Sequence, residues 1–415
     1  MSKKLIKSLR GFQDILPSDV HFFNFLEETI KATVNHYGVS ELRIPLLENA
    51  EVFDRSLGDD TDIVNKEMYI FSDKNNEKIC LRPEGTSSIV RCVLEHGLVY
   101  DRGIKRKKYW YYGPMFRYEK PQRGRYRQFN QFGLEFFGYA GVDSEVEIIL
   151  IVNKILKQLK ISEITFCVNT IGNKKDREDY CKIIESAVEK NKSELTETAK
   201  ITLEKNPLRL LDSKDDHVKS ILKEIPSMID IMCEESKLRF KDFLGRLEMA
   251  GVEYTIDNAI VRGLDYYNDT VFEWKSKSLG SQDAICAGGR YDYLIQSLYD
   301  TQVPAVGVAF GVERLVELIK LDNNLSNPAI YPIIKHDDSE VSSFLAACEK
   351  IRNKYPSSAF FSTDPSASFS SQIKYSKKLN DKIAIIINND QILIKHHNNE
   401  DFTEIDSSEL DNFLE

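Results

Sequence analysis

Five residues that alternate along one short stretch carry the first chemical signal: Arg127, Phe129, Gln131, Gly133 and Glu135. Successive side chains of a strand point to opposite faces, so these five share one face. Gln128, Asn130, Phe132, Leu134 and Phe136 share the other, and its later, apolar part is expected to enter the core. The first face offers a cation, an aromatic ring, an amide, a gap and a carboxylate in a row. That mixture suits the floor of a ligand pocket; the alternative is a solvated sheet face that happens to be polar.

Arginines recur in comparable settings. Arg117 closes the preceding aromatic stretch, Arg262 stands within Val261-Arg262-Gly263-Leu264-Asp265-Tyr266-Tyr267, and Arg314 follows Gly307 and Gly311 at the start of a helix. A guanidinium is a planar, permanently charged fork that matches phosphate oxygens. One arginine at a strand end is ordinarily a surface charge; several beside glycines, which let backbone approach a flat ligand, point further. The carboxylates Glu84, Glu119, Glu135, Asp265 and Glu313 lie close to them in sequence. They could pair with the arginines, hold Mg²⁺ or receive a substrate ammonium. There is no glycine-rich phosphate loop of the Walker or Rossmann kind, so a nucleotide would be held by the sheet and its arginines. The histidines are scattered apart from His396-His397, and no metal site is expected.

The elements that must position these residues follow from periodicity. Residues 108–117 and 127–138 read as aromatic strands joined by a polar loop, 118–126, that carries Lys120, Arg123 and Arg125: a long antiparallel hairpin with a basic tip. Upstream, Phe23, Leu26, Ile30, Val34 and Tyr37 recur at helical spacing, with Ser18 or Asp19 as cap and Gly38 as stop. A short strand is expected at 42–46, a strand pair at 68–71 and 78–81, and helices at 84–96 and 143–159. Residues from about 170 to 250 are rich in lysine and glutamate and read as a helical insertion. Strands return at 254–274, 284–287 and 303–308, before a helix at 310–320. After a polar linker, 321–327, short apolar runs alternate with helical stretches over 328–415, the pattern of a small α/β domain.

Bulk properties agree. At roughly 100–200 residues per domain, 415 residues predict two or three domains. Seven scattered cysteines without a Cys-x-x-Cys pair argue against a disulfide framework or a structural zinc site and suit a reducing compartment. No apolar run reaches signal-peptide or membrane-span length, so the cytoplasm is expected and a membrane is not. The net charge of −9 means that any nucleic-acid contact must rely on local basic clusters.

Three blocks resemble the motifs of class II aminoacyl-tRNA synthetases: Arg43-Ile44-Pro45-Leu46-Leu47-Glu48, Phe116-Arg117-Tyr118-Glu119 with its loop and Arg127-Gln128-Phe129, and Gly307-Val308-Ala309-Phe310-Gly311-Val312-Glu313-Arg314. Others narrow the resemblance to the histidyl-tRNA synthetase family. They are Leu81-Arg82-Pro83-Glu84-Gly85-Thr86, Gly133-Leu134-Glu135-Phe136-Phe137-Gly138, Ala287-Gly288-Gly289-Arg290-Tyr291-Asp292 and, most specific, Arg262-Gly263-Leu264-Asp265-Tyr266-Tyr267. The fold this implies is α+β: an antiparallel sheet flanked by helices (1–320) with the helical insertion, then an anticodon-binding α/β domain. The implied activity joins ATP and L-histidine into an adenylate and passes histidine to the 3′ end of its tRNA. Carried onto this sequence, Glu84, Thr86 and Gln131 would hold the α-ammonium of histidine. Glu135 and Tyr267 would meet the imidazole, with Tyr266 beside them. Phe129 would stack on adenine. Arg117, Arg125 and Arg314 would grip the ATP phosphates with Mg²⁺ assisting, and Arg262 would lie against the α-phosphate. Lys120, Gln122 and Arg123 would touch tRNA. The family also implies a homodimer with the Pro45 segment at its interface. Lys120 stands where arginine is common in the family, and Ser370-Ser371 where lysines are.

Two other readings compete. The regulatory subunit of ATP phosphoribosyltransferase resembles this catalytic domain and senses histidine, but it typically lacks the last domain and degrades the arginine string, which is intact here. The threonyl and prolyl synthetases lack that string altogether.

Overall fold

The computed structural model describes residues 5–58, 61–100, 102–122, 124–189, 195–213, 215–261, 264, 266–280, 283–322, 325, 329–389, 391–398, 402–406 and 409–414. They form two compact units, Met1–Asn324 and Leu325–Glu415.

Helix α1 (Pro17–His36) opens the first unit with Leu16 as cap and Pro17 in its first turn. Neither Ser18 nor Asp19 caps it. Proline takes that place readily, because its missing N–H has no partner at a helix start anyway. The strand expected at 42–46 is not formed. β1 (Ser40–Glu41) and β2 (Leu47–Asn49) flank it instead. Proline breaks the ladder there. Arg82, almost wholly buried, takes over the carbonyls: its guanidinium donates to Ile44 O at 2.7 Å, Pro45 O at 3.1 Å and Pro114 O at 2.9 Å.

There follow α2 (Ala50–Leu57), β3 (Tyr69–Ser72), β4 (Lys78–Leu81), α3 (Thr86–Glu95), β5 (Lys107–Phe116), β6 (Gln128–Phe137), α4 (Asp143–Gln158) and β7 (Ile164–Thr170). Helices α5 (Lys174–Glu189), α6 (Glu197–Lys205), α7 (Asp216–Leu222), α8 (Met228–Ile231) and α9 (Glu234–Met249) come next. The unit closes with β8 (Thr255–Ile256), β9 (Asn268–Ser276), β10 (Ala284–Arg290), α10 (Leu294–Leu298), β11 (Ala305–Gly311) and α11 (Val312–Asp322). The helical stretch from 170 to 250 divides in two. α5 to α8 enclose their own core, with Tyr180, Ile184, Leu203 and Val218 inside. α9, by contrast, packs on α4 and β9, and β7 is a strand of the large sheet. Leu321 and Asp322, expected in the linker, complete α11.

The large sheet runs β1-β5-β6-β11-β10-β9-β7-β8. Its six central strands are antiparallel, and each edge strand pairs in parallel. Phe132, Leu134 and Phe136 are fully buried, as the alternation predicts. Phe132 lies 6.0 Å from Trp110 and 5.2 Å from Phe310 between ring centres. On the same sheet Trp274 donates its indole N–H to Asn153 of α4 at 2.8 Å. The other face is covered by α2, α3 and α10 and by the small sheet β2-β4-β3.

The second unit holds β12 (Ile330–Lys335), α12 (Val341–Lys354), β13 (Ala359–Ser362), α13 (Phe369–Leu379), β14 (Ile383–Asn388), β15 (Gln391–His396) and β16 (Phe402–Ile405). Its sheet runs β13-β12-β14-β15-β16, parallel up to β14 and antiparallel beyond. β14 is buried over Ile383–Ile387, the continuous apolar run of a central strand. β16 was not expected, because an exposed four-residue edge carries no apolar pattern.

Candidate active site

Strand register paves the cavity floor. Residues directly opposite in an antiparallel pair share a face. One row across the sheet is therefore Gly289, Gly307, Glu135 and Tyr109; the next is Ala287, Ala309, Gly133 and Tyr111; a third holds Gly311, Gln131 and Gly113. Small residues clear a trough that Gln131 lines, while the Glu135 carboxylate lies buried against Gly307 and is not among the residues lining the cavities. A Cβ on Gly307 would overlap the Glu135 carboxylate, and one on Gly133 the Tyr111 ring. The alternation Ala287-x-Gly289 and Gly307-x-Ala309-x-Gly311 announced this trough, yet only its glycines at 133, 307 and 311 stood out in the sequence.

Glu135 is buried at 1% exposure and carries the densest bonding. Thr86 Oγ1 donates to it at 2.7 Å, and the Tyr291 hydroxyl donates to its other oxygen. Burial pushes its carboxyl up to about 8, while the bonds from Tyr291 and Thr86 pull the other way. Tyr291→Phe is therefore expected to raise that value further, seen as an upward shift in the NMR titration of the Glu135 carboxyl. Glu84 caps α3, accepting the Thr86 and Ser87 N–H groups at 2.7 and 2.8 Å. A carboxylate can accept more than these two bonds, and Glu84 also lines the cavity. Among the described residues no donor reaches the buried Gln131 Oε1. Tyr266, Tyr267 and Tyr291 pack against one another, Tyr266 tilted on Tyr267 and both meeting Tyr291 edge to face, with ring centres 4.6 to 6.3 Å apart.

Beside this lies the arginine side. Arg117 donates Nε to Pro83 O at 2.8 Å and rests 5.3 Å from the Phe129 ring centre. Arg125 pairs with Glu119. Arg314 donates to Ala284 O at 2.5 Å. Gly124, at a φ of 68°, brings the tip of the β5–β6 loop against the Arg314 side chain. Glu313 accepts from the Asn130 backbone and amide at 2.9 to 3.0 Å, so Asn130 seats a carboxylate; burial pushes that group up to about 7. Two cavities result. One of about 270 Å³ is lined by Arg117, Arg125, Phe129, Gln131 and Arg314. One of about 340 Å³ is lined by Glu84, Thr86, Tyr266, Tyr267 and Tyr291. Arg117, Arg125 and Gln131 line both.

Arg127, first on the expected pocket face, belongs elsewhere: its guanidinium sits 3.7 Å from the Tyr118 ring centre and donates to Glu119 O at 3.1 Å. It precedes β6, so the alternation does not yet bind it. Lys120 and Gln122 are exposed on the loop. Arg262, Gly263, Asp265 and Arg123 lie outside the described residues. Tyr291 had no role assigned from the sequence, and neither had Glu67 or Arg209 on the cavity wall. A tyrosine whose partner lies 156 positions away has no local signature.

A family model described as histidyl-tRNA synthetase matches residues 11–315. The chain belongs to the histidyl-tRNA synthetase family. It is 41% identical over 391 residues to a histidine–tRNA ligase of Legionella pneumophila (strain Lens), covering 93% of this chain and 91% of the relative. It is 42% identical over 426 aligned positions to that of Francisella tularensis subsp. holarctica, covering all of both. Among solved structures, apo Staphylococcus aureus histidyl-tRNA synthetase aligns with a TM-score of 0.78 at 27% identity over 99% of this chain and all of that one. The α+β architecture with a small C-terminal α/β unit is the family's.

Proposed function

We propose that the two joined cavities are where this histidine–tRNA ligase activates L-histidine with ATP before passing it to tRNA. The observation that carries the reading is the meeting of two chemistries at Arg117 and Gln131: buried acceptors on one side, guanidinium groups on the other.

Histidine's ammonium would enter between Glu84, Thr86 and the buried Gln131 Oε1. Its imidazole would face Glu135 and Tyr267, with Tyr266 against the ring. Adenine would lie on Phe129, and Arg117, Arg125 and Arg314 would hold the phosphates. The histidine carboxylate, already an anion, attacks the α-phosphorus in line and pyrophosphate leaves, so no general base is required. The barrier is charge gathering on phosphate oxygens, which fixed cations lower; Arg262 would act there. No group of three potential ligands is clustered among the described residues. Glu119 and Glu313 on the phosphate-side wall nevertheless suit Mg²⁺, which needs only one or two carboxylates beside the nucleotide's own phosphates. Bound there, Mg²⁺ would neutralise phosphate charge. Lys120, Gln122 and Arg123 would meet the incoming tRNA, and the second unit, with Lys374, Lys377 and Lys378 on α13, its anticodon. The exposed Leu46 and Leu47 beside Pro45 suit a homodimer contact. No described helix is long and apolar enough to cross a membrane; a cytoplasmic setting belongs to this reading.

The test is amino-acid-dependent exchange of pyrophosphate into ATP with each of the twenty amino acids. Exchange with histidine alone is expected. Exchange with another amino acid overturns the substrate, and histidine binding without exchange would favour a sensing protein.

A further inference from the structure

The helical insertion is rooted against the histidine side of the cavity. The chain leaves β7, turns at Gly172 with a φ of 62°, and enters α5; it comes back through Cys233 into α9. One buried carboxylate, Asp176, ties the two crossings together. It accepts from the Asn173 N–H at 3.1 Å, the Cys233 N–H at 2.8 Å and the Ser236 hydroxyl. The next residue, Arg177, reaches the other way: its guanidinium donates to the Tyr267 backbone carbonyl at 2.8 Å. Tyr267 packs on Tyr266 and Tyr291, and Tyr291 donates to Glu135. The same insertion also places Arg209 on the wall of the histidine-side cavity.

We propose that Arg177 is a positioning residue for histidine, fixing the Tyr267 main chain from the root of the insertion. The seating of α5 then sets the shape of the imidazole side of the pocket. This rests on the site reading above. The alternative is a bond that merely contributes to stability. The two differ in what they move: positioning alters the histidine side and leaves the nucleotide side, whereas general loosening alters both.

The experiment is pyrophosphate exchange by the full chain carrying Arg177→Met or Arg177→Lys, with KM measured separately for histidine and ATP. Arg177→Met is expected to raise the KM for histidine about tenfold, the worth of one charge-assisted hydrogen bond, with the KM for ATP near wild type. Arg177→Lys keeps one donor for the carbonyl and should fall between; it reads the same split if the methionine variant does not fold. An unchanged histidine KM, or a parallel rise in both constants, overturns the proposal. A wild-type chain that cannot activate histidine overturns the site reading and the proposal with it; a wild type and an Arg177→Met that exchange equally well overturn the proposal alone.

Discussion

Arg117→Ala is expected to slow histidine-dependent pyrophosphate exchange by a factor on the order of 10²–10³ while histidine alone still binds. Arg117 sits at the junction of both cavities. Its Nε is fixed on Pro83 O, which aims the remaining donors without any rearrangement as the reaction proceeds. On the proposed reading, the group it would stabilise is a phosphate whose charge grows in the transition state. Removing such a donor therefore lowers the rate more than ground-state binding. Burial lowers the Arg117 pKa, but a guanidinium stays charged in a protein, so the cation is available at any working pH. Arg262→Ala should cost a similar factor, by the family resemblance. Single-turnover measurement of adenylate formation separates this from slow product release; an unchanged rate in Arg117→Ala would remove the arginine from the chemistry.

The parts of this site that sequence made legible are those carried by a local period. The alternation along β6 separated Phe132, Leu134 and Phe136 from Phe129, Gln131 and Glu135, because a strand of ten residues leaves no freedom of face. It overreached at Arg127, one residue before the strand begins. Ala309 and Ala287 were legible in principle, but small residues draw attention only when register lines them up across three strands. Tyr291 stood in a family-like block without a role, and Arg177 was not legible at all. Their partners, Glu135 and the Tyr267 carbonyl, are brought to them by the order of the sheet and the return of the insertion. The same limit applies to Arg82. Its block marked it as family-like, yet its work is to satisfy carbonyls of the Pro45 segment that no periodicity predicts.

Glu135→Gln should move function and stability in opposite directions. Without a carboxylate to accept the imidazole N–H, kcat/KM for histidine should fall by about 1.5–3 kcal/mol, roughly 10- to 150-fold. Selectivity should fall too, because on the proposed reading a buried acceptor left without the imidazole N–H is what would penalise apolar amino acids. Stability should rise. Burial holds the folded carboxyl at about 8, whereas an unfolded chain ionises near about 4.3. Between those values the folded state binds more protons than the unfolded one. The contribution of Glu135 to stability thus declines as pH rises through that window and is flat above it. Glutamine matches the shape of the neutral carboxyl and cannot ionise, so it escapes the penalty. Thermal unfolding should show Glu135→Gln more stable than wild type by several kcal/mol, on the order of 5, at pH 8, with the two curves converging toward pH 4. A variant that merely damaged the pocket would lose both properties together. One that kept its histidine kinetics would show that the imidazole does not meet this carboxylate.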